Sequence, residues 1–309
     1  MARGSDAVTF HPDLTRARLM PRTSVTARSR RLLRALGRLG AGQSPRGGEL
    51  VALPTGAHLR VHWPTTPTSD DGLPAVLQIH GGGLIIGSPR GSDALCRTLA
   101  DTLGAVVASV GYRLPPEHPY PAPLDDCEAA LTWLATHPRV DRSRLALTGD
   151  SAGGGLAAAV TARTVDAGAV TLAGQALLYP MLDDRTAADP QAADPPYLRL
   201  WNGASNRLGW GMYLGERAAT PPTDAVPARR TDLTGFPPTW IAVGTADLFH
   251  DEDARYAASL RAAGVECELV TIPGAYHGFD VAEPRAAISR DTAQRRIEAL
   301  RRMLAVAPR

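Results

Sequence analysis

The run Leu145-Ala146-Leu147-Thr148, then Gly149-Asp150-Ser151-Ala152-Gly153-Gly154, then an alanine-rich stretch to Val165, constrains the fold more than any other part of this chain. A short apolar run reads as a buried strand, and the stretch after it reads as a helix. The G-x-S-x-G between them makes the reversal so tight that side chains flanking the serine would crowd it. A strand, sharp turn and helix of this kind belong in a mostly parallel sheet covered on both faces. The turn lifts Ser151 to the carboxyl edge of that sheet, where such folds bind ligands. The plainer alternative is a serine N-cap at a glycine-rich helix start.

The rest of the chain repeats the alternation. Glu49–Leu53 and His58–Trp63 flank Pro54-Thr55-Gly56 and read as a β-hairpin. Ala75–Ile79, Ala105–Val110, Leu172–Tyr179, Thr239–Val243 and Val265–Ile272 read as strands. Asp125–His137, Asp251–Ala263 and Ala286–Val306 read as helices. Asp183 to Arg230 interrupts the pattern: it is rich in Pro, Ala and Asp, then carries Trp201, Trp210, Met212, Tyr213 and Leu214 around a further helix. Those aromatics argue against a plain surface loop. In the Arg-rich N-terminal stretch, Arg28 to Leu39 spaces Leu32, Leu33, Leu36 and Leu39 on one helical face; a basic solvated tail is the alternative.

Bulk properties exclude more than they identify. A chain of 309 residues can bury a large core, and one domain with a cap is expected. The formal net charge is +2, which gives no reason to expect nucleic acid or an anionic membrane as partner. Every basic residue other than histidine is Arg; with the heavy Ala, Gly and Pro usage, this points to bacterial, GC-rich codon usage. Cys96, Cys127 and Cys267 match no zinc or disulfide spacing and read as small hydrophobes suited to a reducing cytoplasm. The first residues lack the apolar core of a secretory signal, and no apolar run approaches the ~20 residues of a membrane span.

Serine is a weak nucleophile without a base, and a carbonyl addition needs a site for the oxyanion. His80-Gly81-Gly82-Gly83 follows the apolar run ending at Ile79. Its glycines let backbone N–H groups approach a substrate closely. Gly81, Gly82 and Ala152 are the expected oxyanion donors, each worth roughly 3–4 kcal/mol in the transition state. His80 is expected to orient that loop. Among eight histidines, His277 stands out, after a strand and the turn Pro273-Gly274-Ala275. His118, among prolines, is its main rival. Asp247, after the strand Thr239–Val243, is the expected carboxylate partner; Asp251, Glu252 and Asp253 read instead as acidic residues opening the next helix. The order Ser151, Asp247, His277 suits a hydrolytic triad on an α/β sheet.

Taken together, His80-Gly81-Gly82-Gly83, Tyr112-Arg113-Leu114-Pro115-Pro116-Glu117-His118-Pro119, Gly149-Asp150-Ser151-Ala152-Gly153-Gly154, Asp247-Leu248-Phe249-His250-Asp251-Glu252 and His277-Gly278-Phe279 resemble the hormone-sensitive-lipase-like branch of the α/β-hydrolases, in particular its bacterial esterases. The likeness runs from about Gly48 to Ala305. The family's usual Ala-Pro in the second marker is Pro115-Pro116 here. The resemblance implies an eight-stranded sheet with helices on both faces and a helical cap. It divides the chain into an N-terminal cap segment, 1–47, and a catalytic domain, 48–309, with a cap insertion near 183–230. It implies Ser151 as nucleophile, His277 as base and Asp247 as orienter, with no metal or cofactor. His80, Asp150 and Glu252 are expected to support the site, although an exposed Asp150 without a role is an equal alternative. Leu84, Trp201, Trp210, Tyr213, Leu214 and Leu248 are candidates for the substrate pocket, with ordinary cap packing as the alternative.

The implied substrates are small esters with short to medium acyl chains. The implied assembly is a homodimer through the edge strand near 265–272, where Glu266 and Glu268 alternate with Cys267 and Leu269. Two other readings remain at this stage: an amide or formamide hydrolase, and a ligand-binding relative that has lost the chemistry. The presence of His277 speaks against the second.

Overall fold

The computed structural model describes residues 9–22, 25–39, 42–66 and 72–306. Eight strands form one sheet: β1 (Gly48–Ala52), β2 (His58–His62), β3 (Leu73–Ile79), β4 (Val106–Gly111), β5 (Val140–Asp150), β6 (Gly174–Leu178), β7 (Thr239–Ala246) and β8 (Cys267–Tyr276). Their order is β1-β2-β4-β3-β5-β6-β7-β8. β1 and β2 pair antiparallel, as does β2 with β4, and every other pairing is parallel. The hairpin is the expected one, with two-sided burial beginning at β2.

The helices are α1 (Ser29–Arg38), α2 (Asp93–Leu103), α3 (Ala122–Thr136), α4 (Ala152–Ala167), α5 (Gly203–Leu214), α6 (His250–Ala262), the single turn α7 (Phe279–Ala282) and α8 (Ala287–Met303). The central strands are buried on both faces, so neighbouring residues of one strand enter different cores. Leu77 and Leu147 pack with Leu124, Leu131 and Leu134 of α3 and Leu156 and Val160 of α4. Val76 and Ala146 pack with Cys96, Leu99 and Leu103 of α2 and Ile297 and Leu300 of α8. Each fully buried leucine contributes about 1.5–3 kcal/mol of transfer free energy. The sequence reading assigns nothing to the stretch that forms α2, although Cys96, Leu99, Ala100 and Leu103 repeat every three to four residues and Gly104 closes the helix at φ 61°.

Helix α1 forms where the leucine spacing places it, but its orientation differs from expectation. Leu32, Leu36 and Leu39 are 64%, 54% and 64% exposed, Leu33 alone of the four packs partly buried against the core, and Arg30 and Arg34 on the side opposite the exposed leucines are buried. Arg34 explains the inversion. Its guanidinium donates to Pro115 O at 3.1 Å and to a Glu117 carboxylate oxygen at 2.6 Å, which fixes the arginine face against the body. α5 covers the region where the alternation breaks, and its Ser205 hydroxyl donates to Val25 O at 2.9 Å, joining it to the N-terminal segment.

Candidate active site

The parallel strands deliver the site residues by topology alone. His80 follows β3 directly, Ser151 follows β5, Asp247 follows β7 and His277 follows β8. Because these strands run in one direction, all four residues emerge at one edge of the sheet. Ser151 holds φ 56° and ψ −121°, a conformation that costs a non-glycine residue of order 1–3 kcal/mol. Ser151 N–H donates to Leu178 O at 2.9 Å, and Ser151 O accepts from Met181 N–H at 2.9 Å, so β6 and the chain beyond it hold the turn. α4 starts at the next residue, so its N-terminal dipole lies beside the serine. Helix and sheet approach so closely that a Cβ on Gly153 would stand 2.1 Å from Ile79 O.

The three side chains named for the triad meet. Ser151 Oγ lies 3.0 Å from His277 Nε2, and His277 Nδ1 lies 2.8 Å from Asp247 Oδ2. The other Asp247 oxygen accepts from Phe249 N–H at 3.0 Å, leaving its second oxygen aimed at the imidazole. All three are buried. Aromatic rings enclose the imidazole, with Tyr179 at 4.6 Å, Phe249 edge-on at 5.1 Å and Trp201 at 6.2 Å between centroids. His118, the rival histidine, takes no part in this chain of contacts.

Gly81 faces the serine across a narrow gap, and Gly82 beside it packs against Ile86. A Cβ on Gly81 would meet Asp150 O at 2.8 Å and Ser151 Cβ at 3.3 Å; Gly82 has φ 118°. Ala152 follows the serine as the first residue of α4. His80 stacks on Tyr112, 4.3 Å between centroids, and its Nδ1 lies 2.8 Å from Gly81 O. Burial holds the His80 pKa down to about 4, so the ring stays neutral and its N–H braces the glycine loop.

Asp150 is tied on both sides: Gln78 donates to it at 2.8 Å and Arg296 of α8 at 2.6 Å. Glu252 acts on the segment next to Met181, whose N–H donates to Ser151 O. It accepts from Leu182 N–H at 2.6 Å and Asp183 N–H at 3.2 Å, fixing the chain that leaves β6, and burial pushes its carboxyl up to about 8. It opens α6, as the acidic residues there were expected to do.

A cavity of about 590 Å³ opens beside Ser151 and His277, floored by Gly81, Gly82 and Gly83. Trp201 lines it and packs so tightly on the loop that a Cβ on Gly83 would overlap the indole at 1.9 Å. The other pocket candidates, Leu84, Trp210, Tyr213, Leu214 and Leu248, are absent from its wall. Leu84, Trp210, Tyr213 and Leu214 are buried in the core formed with α5, and Leu248 packs against it. Tyr179, Leu200, Val281 and Asp280 line the cavity instead. Tyr179 was findable, because it follows β6 directly, as the triad residues follow their own strands. Its hydroxyl meets Asp280 at 2.5 Å, and burial raises the Asp280 pKa.

Residues 76–281 match a family profile described as alpha/beta hydrolase fold. The esterase LipI of Mycobacterium tuberculosis is 38% identical over 226 residues, spanning 71% of this chain and 70% of its own. The carboxylesterase NlhH of the same organism is 38% identical over 229 residues, spanning 72% and 70%. Among solved structures, a bacterial heroin esterase matches with a TM-score of 0.83 at 35% identity, covering 96% of this chain and 98% of that one.

Proposed function

The chain belongs to the alpha/beta hydrolase fold family, in its hormone-sensitive-lipase-like branch, and on that footing we propose that it is a serine carboxylic ester hydrolase working through an acyl-enzyme. The observation that carries the proposal is the unbroken contact chain from Ser151 Oγ through His277 to Asp247. Ser151 attacks the ester carbonyl while His277 Nε2 takes its proton. Asp247 keeps the Nδ1 proton in place and stabilises the imidazolium. The N–H groups of Gly81, Gly82 and Ala152 receive the oxyanion. The tetrahedral intermediate collapses, the alcohol leaves with the proton from His277, and Ser151 retains the acyl group. Water, deprotonated by the same imidazole, then releases the acid and restores the serine.

The relatives described above carry esterase names, and no observation here favours the amide or formamide reading. The cavity size fits short to medium acyl chains. A reducing, cytoplasmic site of action suits the free, buried thiols of Cys96 and Cys127. Dimerisation through β8 is part of the same reading: this strand lies at the sheet edge with one neighbour, β7. Sedimentation of the wild type against an edge-strand variant tests that assembly. The deciding experiment for function is hydrolysis of a p-nitrophenyl ester series from acetate to decanoate. Activity peaking at short to medium chains, with Ser151→Ala folded and inactive, supports the proposal; unchanged turnover by Ser151→Ala refutes the nucleophile.

A further inference from the structure

The net charge of +2 hides a strong segregation. Residues 1–47 hold ten Arg against two Asp, a balance of +8, leaving −6 for the remainder. Within this basic stretch lies α1, whose apolar stripe points away from the protein. Leu32, Leu36 and Leu39 lie three and four residues apart and are each more than half exposed. Arg28, one turn before Leu32 on the same face, and Arg31 beside it are exposed as well.

The outward position of the stripe is built in. Arg34 is bonded to Pro115 and Glu117 on the inner side, and Arg90 holds Leu39 O at the far end. Gly37 lies against the loop after the oxyanion glycines, where a Cβ would be 3.6 Å from Gly87 O. Turning the leucines inward would require breaking a charge-assisted hydrogen bond with one end buried. The inner side of the helix adjoins the cavity: Val25 and Gly37 line it, as does Val281, itself 76% exposed.

A helix presenting leucines flanked by arginines matches an anionic lipid surface, with the apolar side chains entering the acyl boundary and the guanidinium groups meeting phosphates. We propose that the outward face of α1 seats this protein on an anionic phospholipid bilayer, beside the cavity mouth. The mode is peripheral; among the described residues no helix is long and apolar enough to cross a membrane. The inference is independent of the ester-hydrolase reading, because its readout is binding.

The test is co-sedimentation of the full chain with vesicles of phosphatidylcholine alone and of an equimolar mixture with phosphatidylglycerol. Binding to the anionic vesicles is expected, falling about tenfold or more on neutral vesicles and weakening at about 0.5 M NaCl, where screening shortens the field. The triple variant Leu32→Ser, Leu36→Ser, Leu39→Ser should lose about tenfold or more in vesicle affinity while keeping wild-type turnover of a soluble short-chain ester. Arg28→Gln with Arg31→Gln should weaken anionic binding and leave stability unchanged. Absence of binding to anionic vesicles, or equal binding by wild type and the triple variant, overturns the proposal. So does sedimentation velocity showing a wild-type dimer that the leucine variant dissolves, because the face would then be covered by a second copy.

Discussion

Arg296, on α8, donates a 2.6 Å hydrogen bond to Asp150, the residue immediately before the serine. Gln78 of β3 binds the other Asp150 oxygen at 2.8 Å, so the strand beneath the turn is clamped from two elements. Arg296 is 3% exposed, and the side chain of Asp150 is 20% exposed. Removing the guanidinium leaves a largely buried carboxylate with one neutral donor. Arg296→Met should therefore cost about 2–3 kcal/mol, below the range for a fully buried pair because Asp150 retains some solvent. Urea unfolding measures it. Asp150→Asn in the same chain should recover part of the loss, since the carboxylate that lost its guanidinium is then neutral; an additive penalty would show that the pair is not coupled.

Asp247→Asn preserves the volume and the oxygen that accepts from Phe249 N–H, but presents the imidazole with a donor or a neutral acceptor. The tautomer that offers Nε2 as base is then lost. A fall of about 10⁴-fold in kcat with a small change in KM is expected at neutral pH. A fall of less than about tenfold would remove Asp247 from the mechanism.

Gly82→Ala places a Cβ 2.3 Å from Ile86 O at a backbone φ of 118°. The loop has to shift, and the N–H groups of residues 81 and 82 shift with it. An activity loss of about 10²–10³-fold is expected, the cost of a displaced oxyanion donor. Circular dichroism should report an intact fold, and reaction with a phosphonate that mimics the tetrahedral intermediate should slow in parallel.

The Glu252 carboxyl stands at about 8 in the folded chain against 4.5 for the ordinary group, raised chiefly by burial. The folded state therefore binds more protons than the unfolded state between those values. Stability from this group is full below about 4.5, declines as pH rises, and is gone above about 8. Asp253 beside it is also buried and raised, so it acts in the same direction. Glu252→Gln keeps an oxygen for Leu182 N–H and Asp183 N–H and cannot ionise. Its urea midpoint should fall less between pH 5 and 8 than that of the wild type, and equal slopes would refute the assignment.

The site was legible where position along a strand determined it. Ser151, Asp247 and His277 each follow a run whose apolar character identifies a buried strand, and parallel topology does the rest. The cavity wall was less legible. Trp210, Tyr213 and Leu214 share the apolar character of Trp201, and only the seating of α5 decides which aromatic reaches the opening. The orientation of α1 depends on one arginine finding Glu117 across the fold; spacing gives the stripe but not its direction. Helix α2 escaped notice because Arg97, Thr98, Asp101 and Thr102 dilute a short buried face.

The contacts that complete the site also set an order of events during synthesis. The histidine that meets Ser151 is 126 residues further along, and the arginine that grips Asp150 is 146 residues beyond it. A ribosome therefore releases the serine turn long before its histidine partner or its clamp exists. At that stage the turn stands without either partner, and the full set of contacts around Ser151 forms only once α8 has been made.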